Sequence, residues 1–274
     1  MVEYVIANAT VVPVRENPSE GAEQLTQLLF GEVCEVLDRL PRWTKIRSTL
    51  DGQEGWVDFK MVSLASNLIA SSPHRLDTIV ATPMAAATPM DGGADLLLTL
   101  GTRLPNYSHG TFEVLGQQYL INPTCVSTAQ RSTGQADLQQ SDLQRSDLAT
   151  IAQSLLNAPY LWGGKNLMGI DCSGFTQVVY AAMGVNLLRN AREQMTQGEL
   201  VSSLSESLTG DLAFFDHADR DPKATNISHV GLLLSPTEII HCSGCVHIDS
   251  IDEEGIHLSD GSLTHHLVQI KRYL

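Results

Sequence analysis

Three residues in the second half of the chain have the types and spacing needed for nucleophilic catalysis. Cys172 lies in Asp171-Cys172-Ser173-Gly174-Phe175, where a pattern of helical period begins, and His229 and His241 follow it at a spacing of twelve residues. A cysteine nucleophile needs a base within hydrogen-bond reach, and the base needs an orienting partner. At a helix start, the first-turn N–H groups and the helix dipole are expected to lower the thiol pKa. The set predicts a cysteine nucleophile with His229 as its base.

The two histidines can cooperate only if the strands that carry them pair in one particular register. His229 begins a predicted strand, and His241 ends the next one, after the turn Ser235-Pro236-Thr237. An odd-length loop pairs residue 231 with residue 241 and places both imidazoles on one face of the sheet. An even loop places them on opposite faces, because side chains alternate along a strand.

The elements around these residues predict an α+β domain. The residues Leu148, Ile151, Ala152, Leu155 and Leu156 form a helical stripe, with Ser146 or Asp147 as its cap and Pro159 as its end. A second stripe consists of Phe175, Val178, Val179 and Ala182, with Gly184 as the stop. After residue 210 the period changes to that of strands, at 212–215, 230–234, 238–240 and 246–248.

The first half of the chain has the pattern of small all-β domains. Short strand-like runs at 4–6, 10–12, 33–37 and 43–46 are separated by Gly, Pro and an Asp-Gly pair. Further runs at 94–100, 112–115 and 118–121 repeat this character. We therefore predict a multidomain protein with one β-barrel at 1–65, a second at 66–129, a polar linker at 130–146 and the α+β domain at 147–274.

Composition restricts the function classes. The net charge of -14 argues against a nucleic-acid binder, which would carry a basic face. Five cysteines without framework spacing argue against a secreted disulfide scaffold. No basic leader followed by an apolar run opens the chain, and no apolar run is long enough to span a membrane. The expected location is the cytoplasm, or the periplasm or cell exterior if a signal peptide has been removed.

Four sequence blocks together resemble the signature of the NlpC/P60 family of papain-like cysteine peptidases. They are Tyr160-Leu161-Trp162-Gly163-Gly164, Asp171-Cys172-Ser173-Gly174-Phe175, Gly210-Asp211-Leu212-Ala213-Phe214-Phe215 and His229-Val230-Gly231-Leu232. The resemblance covers about residues 146–274. It implies that Cys172 is the nucleophile, His229 the base and His241 the residue that orients the imidazole. It also implies that the Cys172 N–H and the Tyr160 hydroxyl stabilise the oxyanion, with no metal or organic cofactor.

The amino-terminal half resembles the bacterial SH3-like domains that precede this catalytic domain in many cell-wall hydrolases, through Gly31-Glu32, Trp43 and Gly55-Trp56-Val57. The segment from Glu23 to Glu32 is similar to the subgroup that cleaves γ-D-glutamyl–diamino acid bonds in muropeptides. That similarity implies a peptidoglycan stem-peptide substrate. It also implies that Glu23 and Asp171 bind the free ammonium of an L-alanine, and that Ser173 and Trp162 contact the substrate.

Some features leave alternatives open. The family often has a Tyr near the Gly-Trp-Val, where this chain has Gln53, and a Ser where it has Ala191. The same three catalytic residues also suit an amidase or acyltransferase, and a non-catalytic peptidoglycan-binding protein would keep the fold. The segment from His241 to His247 contains a Cys-x-x-Cys, but a zinc site would compete for His241 and a redox pair lacks its βαβ context. His265 and His266 are interpreted as a solvated or packing pair.

Overall fold

The protein divides into two compact units. The computed structural model describes residues 2–65, 78–128, 138–217 and 226–274. The first unit comprises Met1–Arg131 and Trp162–Leu167, and the second comprises Ser132–Leu161 and Met168–Leu274. The described chain is mostly β-strand with few helices, as the sequence predicts. The segment 162–167, which the sequence analysis assigned to the α+β domain, is grouped with the first unit.

The first unit contains a seven-stranded antiparallel sheet. Its strands are β1 (Tyr4–Ala7), β2 (Val11–Arg15), β3 (Gln24–Leu29), β4 (Val33–Arg39), β5 (Trp43–Ser48), β6 (Glu54–Asp58) and β7 (Val62–Leu64), in the order β3-β2-β6-β5-β4-β1-β7. Strand β2 shows why this sequence forms a sheet, because Val12 and Val14 are fully buried while their neighbours are half-buried. That two-residue alternation is what a strand with one face on a core requires.

The same unit contains a smaller set of strands. They are β8 (Thr78–Val80), β9 (Met84–Pro89), β10 (Leu96–Thr99), β11 (Thr111–Val114), β12 (Gln117–Ile121), β13 (Val126–Thr128) and β14 (Lys165–Asn166). A four-stranded sheet has the order β10-β9-β12-β11, and β8 pairs with β13. Ile6 and Phe30 of the first sheet region share a buried cluster with Val80, Leu98 and Phe112, so the two predicted β regions have a core in common.

The second unit is built around a closed ring of strands. Its strands are β15 (Gly169–Ile170), β16 (Glu199–Val201), β17 (Leu212–His217), β18 (His229–Ser235), β19 (Glu238–Ser243), β20 (Cys245–Ile251), β21 (Gly255–His257) and β22 (Leu263–Arg272). The main sheet has the order β16-β22-β17-β18-β19-β20-β21, and β21 also pairs with β22. Strands β17 to β22 therefore close into a six-stranded ring, which encloses a buried cluster containing Phe215, Leu233 and Ile239.

Among the described residues of this unit, three helices accompany the ring: α1 (Leu138–Gln153), α2 (Cys172–Ala182) and α3 (Ala191–Gln194). The prediction for α2 is confirmed, since it starts at Cys172 and buries Phe175, Val178, Val179 and Ala182. Short 3-10 turns cover Phe59–Met61, Pro123–Cys125 and Leu204–Glu206. No described helix is both long and apolar enough to cross a lipid bilayer.

The prediction for α1 was wrong at both ends. The helix starts at Leu138, well before the predicted cap at Ser146 or Asp147, and it ends at Gln153, before Pro159. Residues 138–146 are therefore helical rather than a linker, while 130–137 lie outside the described residues. Arg145 gives the physical reason, because its buried guanidinium lies 3.6 Å from Asp211 and donates to the Thr209 carbonyl at 2.8 Å. A polar sequence was interpreted as solvated although one of its charges is paired inside the unit.

Candidate active site

Cys172 occupies the first position of α2, as the sequence predicts. Asp171 is the N-cap residue in extended conformation, and its Oδ1 accepts a hydrogen bond from the Gly174 N–H at 2.6 Å. A carboxylate at this position satisfies one of the orphan N–H groups of the first turn. The Cys172 side chain is buried, and its sulfur accepts hydrogen bonds from the backbone N–H groups of Ser173 and Val230. The sulfur therefore lies at the end of β18 where His229 begins the strand.

The predicted low thiol pKa was wrong. Burial, together with the Asp171 carboxylate, raises the pKa of the Cys172 thiol to about 12. The hydrogen bonds from Val230 and Ser173 and the positive charge of Arg189 act in the lowering direction, but they do not cancel the desolvation. The helix start alone is therefore insufficient to hold a thiolate. The proton must pass to a neighbouring base when the sulfur reacts.

The two histidines meet the geometric condition set by the sequence. Gly231 pairs with His241 between β18 and β19, which places His229 and His241 on the same face. His229 Nε2 lies 2.8 Å from His241 Nδ1, and both side chains are buried. Gly231 is part of this fit, because a Cβ there would lie 2.9 Å from the His241 Cβ. Because His229 Nε2 contacts His241, Nδ1 is the nitrogen of His229 that could serve as the base.

His229 is also enclosed by aromatic rings. The imidazole of His265 stacks on it at 4.3 Å with an interplanar angle of 29°, and the Phe215 ring lies 6.0 Å away. His265 is buried, so of the predicted pair it is the packing member. Its neighbour His266 is half-buried. The stacked His265 ring restrains the plane of the His229 ring, a role that the sequence pattern did not indicate.

Beyond His241 lies a second carboxylate that the sequence analysis missed. Asp249 Oδ2 lies 3.1 Å from His241 Nε2 and 3.0 Å from His247 Nε2. His247 and Asp249 are two residues apart on β20, so both face the same side as His241. The sequence does contain a signal for Asp249. His247 and Asp249 are two residues apart on the strand that follows the one carrying His241, and residues at that spacing share a face of the sheet.

Among the residues that the structure describes, these three side chains form the group that could hold a metal ion. One ligand atom from each of His241, His247 and Asp249 falls within 4.8 Å of the others. Both histidine nitrogens are at hydrogen-bonding distance from a single carboxylate oxygen, which accounts for the cluster without an ion. The cysteines of the Cys-x-x-Cys are not part of it. The Cys242 thiol is buried and donates to the Ile170 carbonyl, as expected for a structural thiol.

Asp171 has a partner that the sequence did not reveal. Arg189, which is 1% exposed, binds both carboxylate oxygens of Asp171, at 3.0 Å and 2.6 Å. The Arg189 guanidinium also donates to the Ser173 hydroxyl at 2.9 Å. Asp171 and Ser173, predicted as substrate-binding residues, are thus held in a buried ion-pair network beneath the start of α2. Ala191, which departs from the family pattern, lies nearby in sequence at the start of α3 and is buried.

Tyr160 and two residues of the first unit complete the list of predicted site residues. Tyr160 is 38% exposed, and burial of its hydroxyl, together with the charge of Asp171, raises its pKa well above the ordinary value. The phenol therefore keeps its proton and can donate a hydrogen bond. In the first unit, the Trp162 indole Nε1–H donates to Glu23 Oε1 at 2.8 Å, and the Gln24 amide donates to the Trp162 carbonyl. Trp162 is 60% exposed.

Comparison with known proteins gives consistent matches. Residues 157–261 match the model of the NlpC/P60 family, and residues 10–63 match that of the bacterial SH3 domain. A γ-D-glutamyl-L-lysine dipeptidyl-peptidase of Bacillus subtilis is 28% identical over 79% of this chain and 71% of its own length. A protein of the same name from Bacillus cereus is 26% identical, over 79% of this chain and 66% of its own length. The chain thus spans about two thirds of these relatives.

A solved structure extends the likeness of fold to the whole chain. The crystal structure of an NlpC/P60 family protein from Bacillus cereus superposes with a TM-score of 0.80 over 99% of both chains, at 20% identity. At that identity the likeness concerns the fold alone. Together with the domain matches and the Cys172, His229 and His241 arrangement, it leads to one assignment. Residues 157–261 form a domain of the NlpC/P60 family, and residues 10–63 form a bacterial SH3 domain ahead of it.

Proposed function

We propose that this protein is a cysteine endopeptidase that hydrolyses the γ-D-glutamyl–diamino acid bond of peptidoglycan stem peptides with a free amino-terminal L-alanine. The observation that carries the chemistry is the hydrogen bond of 2.8 Å between His229 and His241, at the strand end whose Val230 N–H binds the Cys172 sulfur. The substrate class comes from the names of the two Bacillus relatives. It also comes from the sequence around Glu23.

The proposed reaction uses direct proton transfer. Because the pKa of Cys172 is raised to about 12, the resting side chain is a neutral thiol. As the sulfur attacks the γ-carbonyl carbon, the thiol proton moves to His229 Nδ1, and the imidazolium keeps its Nε2–H toward His241. When the C–N bond breaks, that proton goes to the amine of the departing diamino acid. The remaining acyl-enzyme is a thioester of Cys172.

Water completes the cycle. His229 Nδ1 removes a proton from water while the oxygen attacks the thioester carbon, and L-Ala-γ-D-Glu leaves as a carboxylic acid when the sulfur regains its proton. We assign oxyanion stabilisation to the Cys172 N–H at the start of α2 and to the Tyr160 hydroxyl. The raised pKa of Tyr160 supports this role, since the phenol stays a donor across the working pH range.

The proposed recognition of the substrate ammonium assigns unequal roles to its two carboxylates. Asp171 is already neutralised by Arg189, and its Oδ1 accepts three hydrogen bonds. Glu23 is exposed and receives a single neutral donor from Trp162. We therefore assign the net charge that selects a free ammonium to Glu23. Asp171 accepts a hydrogen bond from the ammonium, and Ser173 holds the Asp171 carboxylate in place. Trp162 orients Glu23, and its exposed ring contacts the peptide.

For the whole chain, we propose two SH3-like barrels, within residues 1–65 and 66–129, and a papain-like catalytic domain in the carboxy-terminal half. The bacterial SH3 match over residues 10–63 supports the first barrel, and the separate four-stranded sheet β10-β9-β12-β11 supports a second β region. The barrels then act as specificity elements, because Glu23 belongs to the first. A substrate with a free amino end suits the recycling of released muropeptides, for which we propose a cytoplasmic location.

The test is mass spectrometry of products from L-Ala-γ-D-Glu-meso-diaminopimelate and from the same peptide with an N-acetyl cap. The wild type should cleave only the free-amine peptide, and Cys172→Ala should cleave neither. Glu23→Gln should reduce kcat/KM for the free-amine peptide about 10- to 100-fold, the value of a hydrogen bond to a charged group. The matched control is Glu20→Gln, an identical change at an exposed residue, which should behave as wild type.

Each alternative outcome has a definite meaning. Equal cleavage of the capped peptide would exclude the ammonium recognition and indicate an endopeptidase acting on the intact wall. No cleavage of either peptide, with Cys172 still open to alkylation, would favour an amidase or acyltransferase. Absence of both cleavage and alkylation would favour a non-catalytic peptidoglycan-binding protein.

A further inference from the structure

The side chain of Asp249 ends a continuous line of polar contacts that starts at His229. His229 Nε2 lies 2.8 Å from His241 Nδ1, and His241 Nε2 lies 3.1 Å from Asp249 Oδ2. We propose that Asp249 is a positioning residue that fixes the tautomers of both histidines, so that His229 presents an unprotonated Nδ1 to Cys172. This inference rests on the proposed cysteine peptidase chemistry. It assigns a role to a residue outside the sequence blocks that identify the family.

The argument begins at the carboxylate. An ionised carboxylate can only accept hydrogen bonds, so a close ring nitrogen must carry a proton. Asp249 is held in this ionised form, because the hydrogen bonds from His241 and His247 lower its pKa. The contact at 3.1 Å therefore places a proton on His241 Nε2.

The next link concerns the charge of His241. This side chain is 1% exposed, and burial lowers its pKa below the ordinary value despite the hydrogen bond to Asp249. A neutral imidazole has one proton, and Asp249 holds it on Nε2. His241 Nδ1 is then a lone pair and can only accept. At 2.8 Å from it, His229 Nε2 must be the donor, so neutral His229 carries no proton on Nδ1 and that nitrogen can accept one.

The opposite tautomer would disable the base. If His241 carried its proton on Nδ1, His229 Nε2 would have to accept, and the proton of neutral His229 would sit on Nδ1. A protonated Nδ1 cannot take the thiol proton of Cys172. Because burial raises the pKa of that thiol to about 12, the reaction depends on this transfer. The hydrogen bond between His241 and Asp249 therefore determines whether His229 can act as the base, although neither of its partners contacts the sulfur in this scheme.

His247 supports Asp249 from the other side. Its Nε2 lies 3.0 Å from the same oxygen, Asp249 Oδ2, and its Nδ1 lies 2.7 Å from the Cys245 carbonyl oxygen. Both nitrogens thus face acceptor oxygens, and Asp249 Oδ2 lies between the rings of His241 and His247. The Asp249 side chain is 15% exposed and that of His247 31%, so this end of the line is nearer to solvent than His241.

The first measurement uses the wild-type protein and needs no substrate. With ¹⁵N-labelled histidine, long-range ¹H–¹⁵N correlation spectra distinguish a protonated ring nitrogen from a bare one at each site. We expect His241 and His229 both to be protonated on Nε2 and bare on Nδ1. The reverse assignment at either residue would overturn the proposal. The pattern should persist after treatment with EDTA; a change on chelation would also overturn it, because a bound metal would then hold these side chains.

The second measurement compares Asp249→Asn with the control Asp260→Asn, the same change at an exposed residue of the same unit. An asparagine presents either its oxygen or its NH₂ group to His241, so the Nε2–H tautomer loses its preference. Loss of a partner behind a functional histidine typically reduces activity 10- to 100-fold, and we expect about that loss in kcat at unchanged KM. At each pH tested, iodoacetamide should alkylate Cys172 more slowly in Asp249→Asn than in the wild type. Asp260→Asn should be alkylated at the wild-type rate.

The outcomes separate this inference from the proposed function. A wild type that cleaves no stem peptide, but whose Cys172 alkylation profile shifts in Asp249→Asn, would refute the substrate and retain the positioning role. Activity and alkylation within twofold of wild type in Asp249→Asn would refute the role, whatever the substrate. If the variant does not fold, the tautomer assignment of the wild type remains a sufficient test.

Discussion

Arg189 provides the most direct test of the energetics at the start of α2. Its guanidinium is 1% exposed and binds Asp171 through two hydrogen bonds, of 3.0 Å and 2.6 Å. Arg189→Met keeps much of the side-chain volume but leaves the buried Asp171 carboxylate without the positive charge that balances it. Breaking a buried ion pair on one side costs about 3–5 kcal/mol, because one charge remains uncompensated. We expect a loss of this size in the free energy of unfolding.

The double variant distinguishes a charge effect from a packing effect. Asp171→Asn retains a good N-cap, since Asn and Asp are comparable at that position. Combined with Arg189→Met it removes both charges, and a buried pair replaced on both sides is often close to neutral. The double variant should therefore be more stable than Arg189→Met alone by about 2 kcal/mol or more, as a thermodynamic cycle measures. The control Arg192→Met, at an exposed site three residues on, should cost less than about 0.5 kcal/mol.

The two units require an assay that reports on each of them. All three tryptophans, Trp43, Trp56 and Trp162, belong to the first unit, so fluorescence does not report on the second directly. Pulsed thiol labelling in urea, with masses assigned to each cysteine, solves this problem. Cys34 and Cys242 are both 0% exposed and lie in the first and second units, respectively. A Cys242 transition in Arg189→Met within about 1 kcal/mol of wild type, or a double variant no more stable than the single, would refute the reasoning.

Three further predictions concern the catalytic residues. Gly231→Ala would bring its Cβ to 2.9 Å from the His241 Cβ, and we expect a loss of stability of about 1–3 kcal/mol in urea unfolding and a lower kcat. Burial lowers the pKa of His241 below 6.5, so the unfolded chain binds the proton first as the pH falls, and stability should decrease below pH 6.5. The acid shift of the urea midpoint should be smaller in His241→Gln; an equal shift would contradict this assignment. Tyr160→Phe should lower kcat about 10²–10³-fold at similar KM, and unchanged kcat would remove Tyr160 from the oxyanion site.

The strand and helix pattern of the second unit could be predicted well from sequence because its core residues follow clear periods. The stripe on α2 and the apolar runs of β17 and β18 are buried as their spacing indicates. The register condition for His229 and His241 was also available, since alternation along a strand is purely geometric. In the first unit, β3 and β6 were missed as strands, because their polar and apolar residues do not alternate cleanly.

What the sequence could not supply were the partners of buried charges. Arg145 lies in the predicted polar linker and Arg189 lies outside the predicted helices and strands, yet each is buried against a carboxylate distant in sequence. Periodicity reports which face is apolar, and it says nothing about which charge is paired inside. The same limit explains the error over Cys172. The helix dipole is visible in the sequence, whereas the desolvation that outweighs it depends on how the sulfur is enclosed.

The register of the β19–β20 hairpin connects these observations. His241 pairs with His247, and Ile239 pairs with Asp249, so the alternation that aims His241 at His229 also aims Asp249 at the far nitrogen of His241. A slip of one residue in β20 would turn both His247 and Asp249 to the other face and leave His241 Nε2 without this acceptor. The tight connection between the strands, with Gly244 at a positive φ of 76°, opposes such a slip. The register of the hairpin therefore affects catalysis, because it determines which nitrogen of His241 carries a proton and hence which nitrogen of His229 can accept the thiol proton.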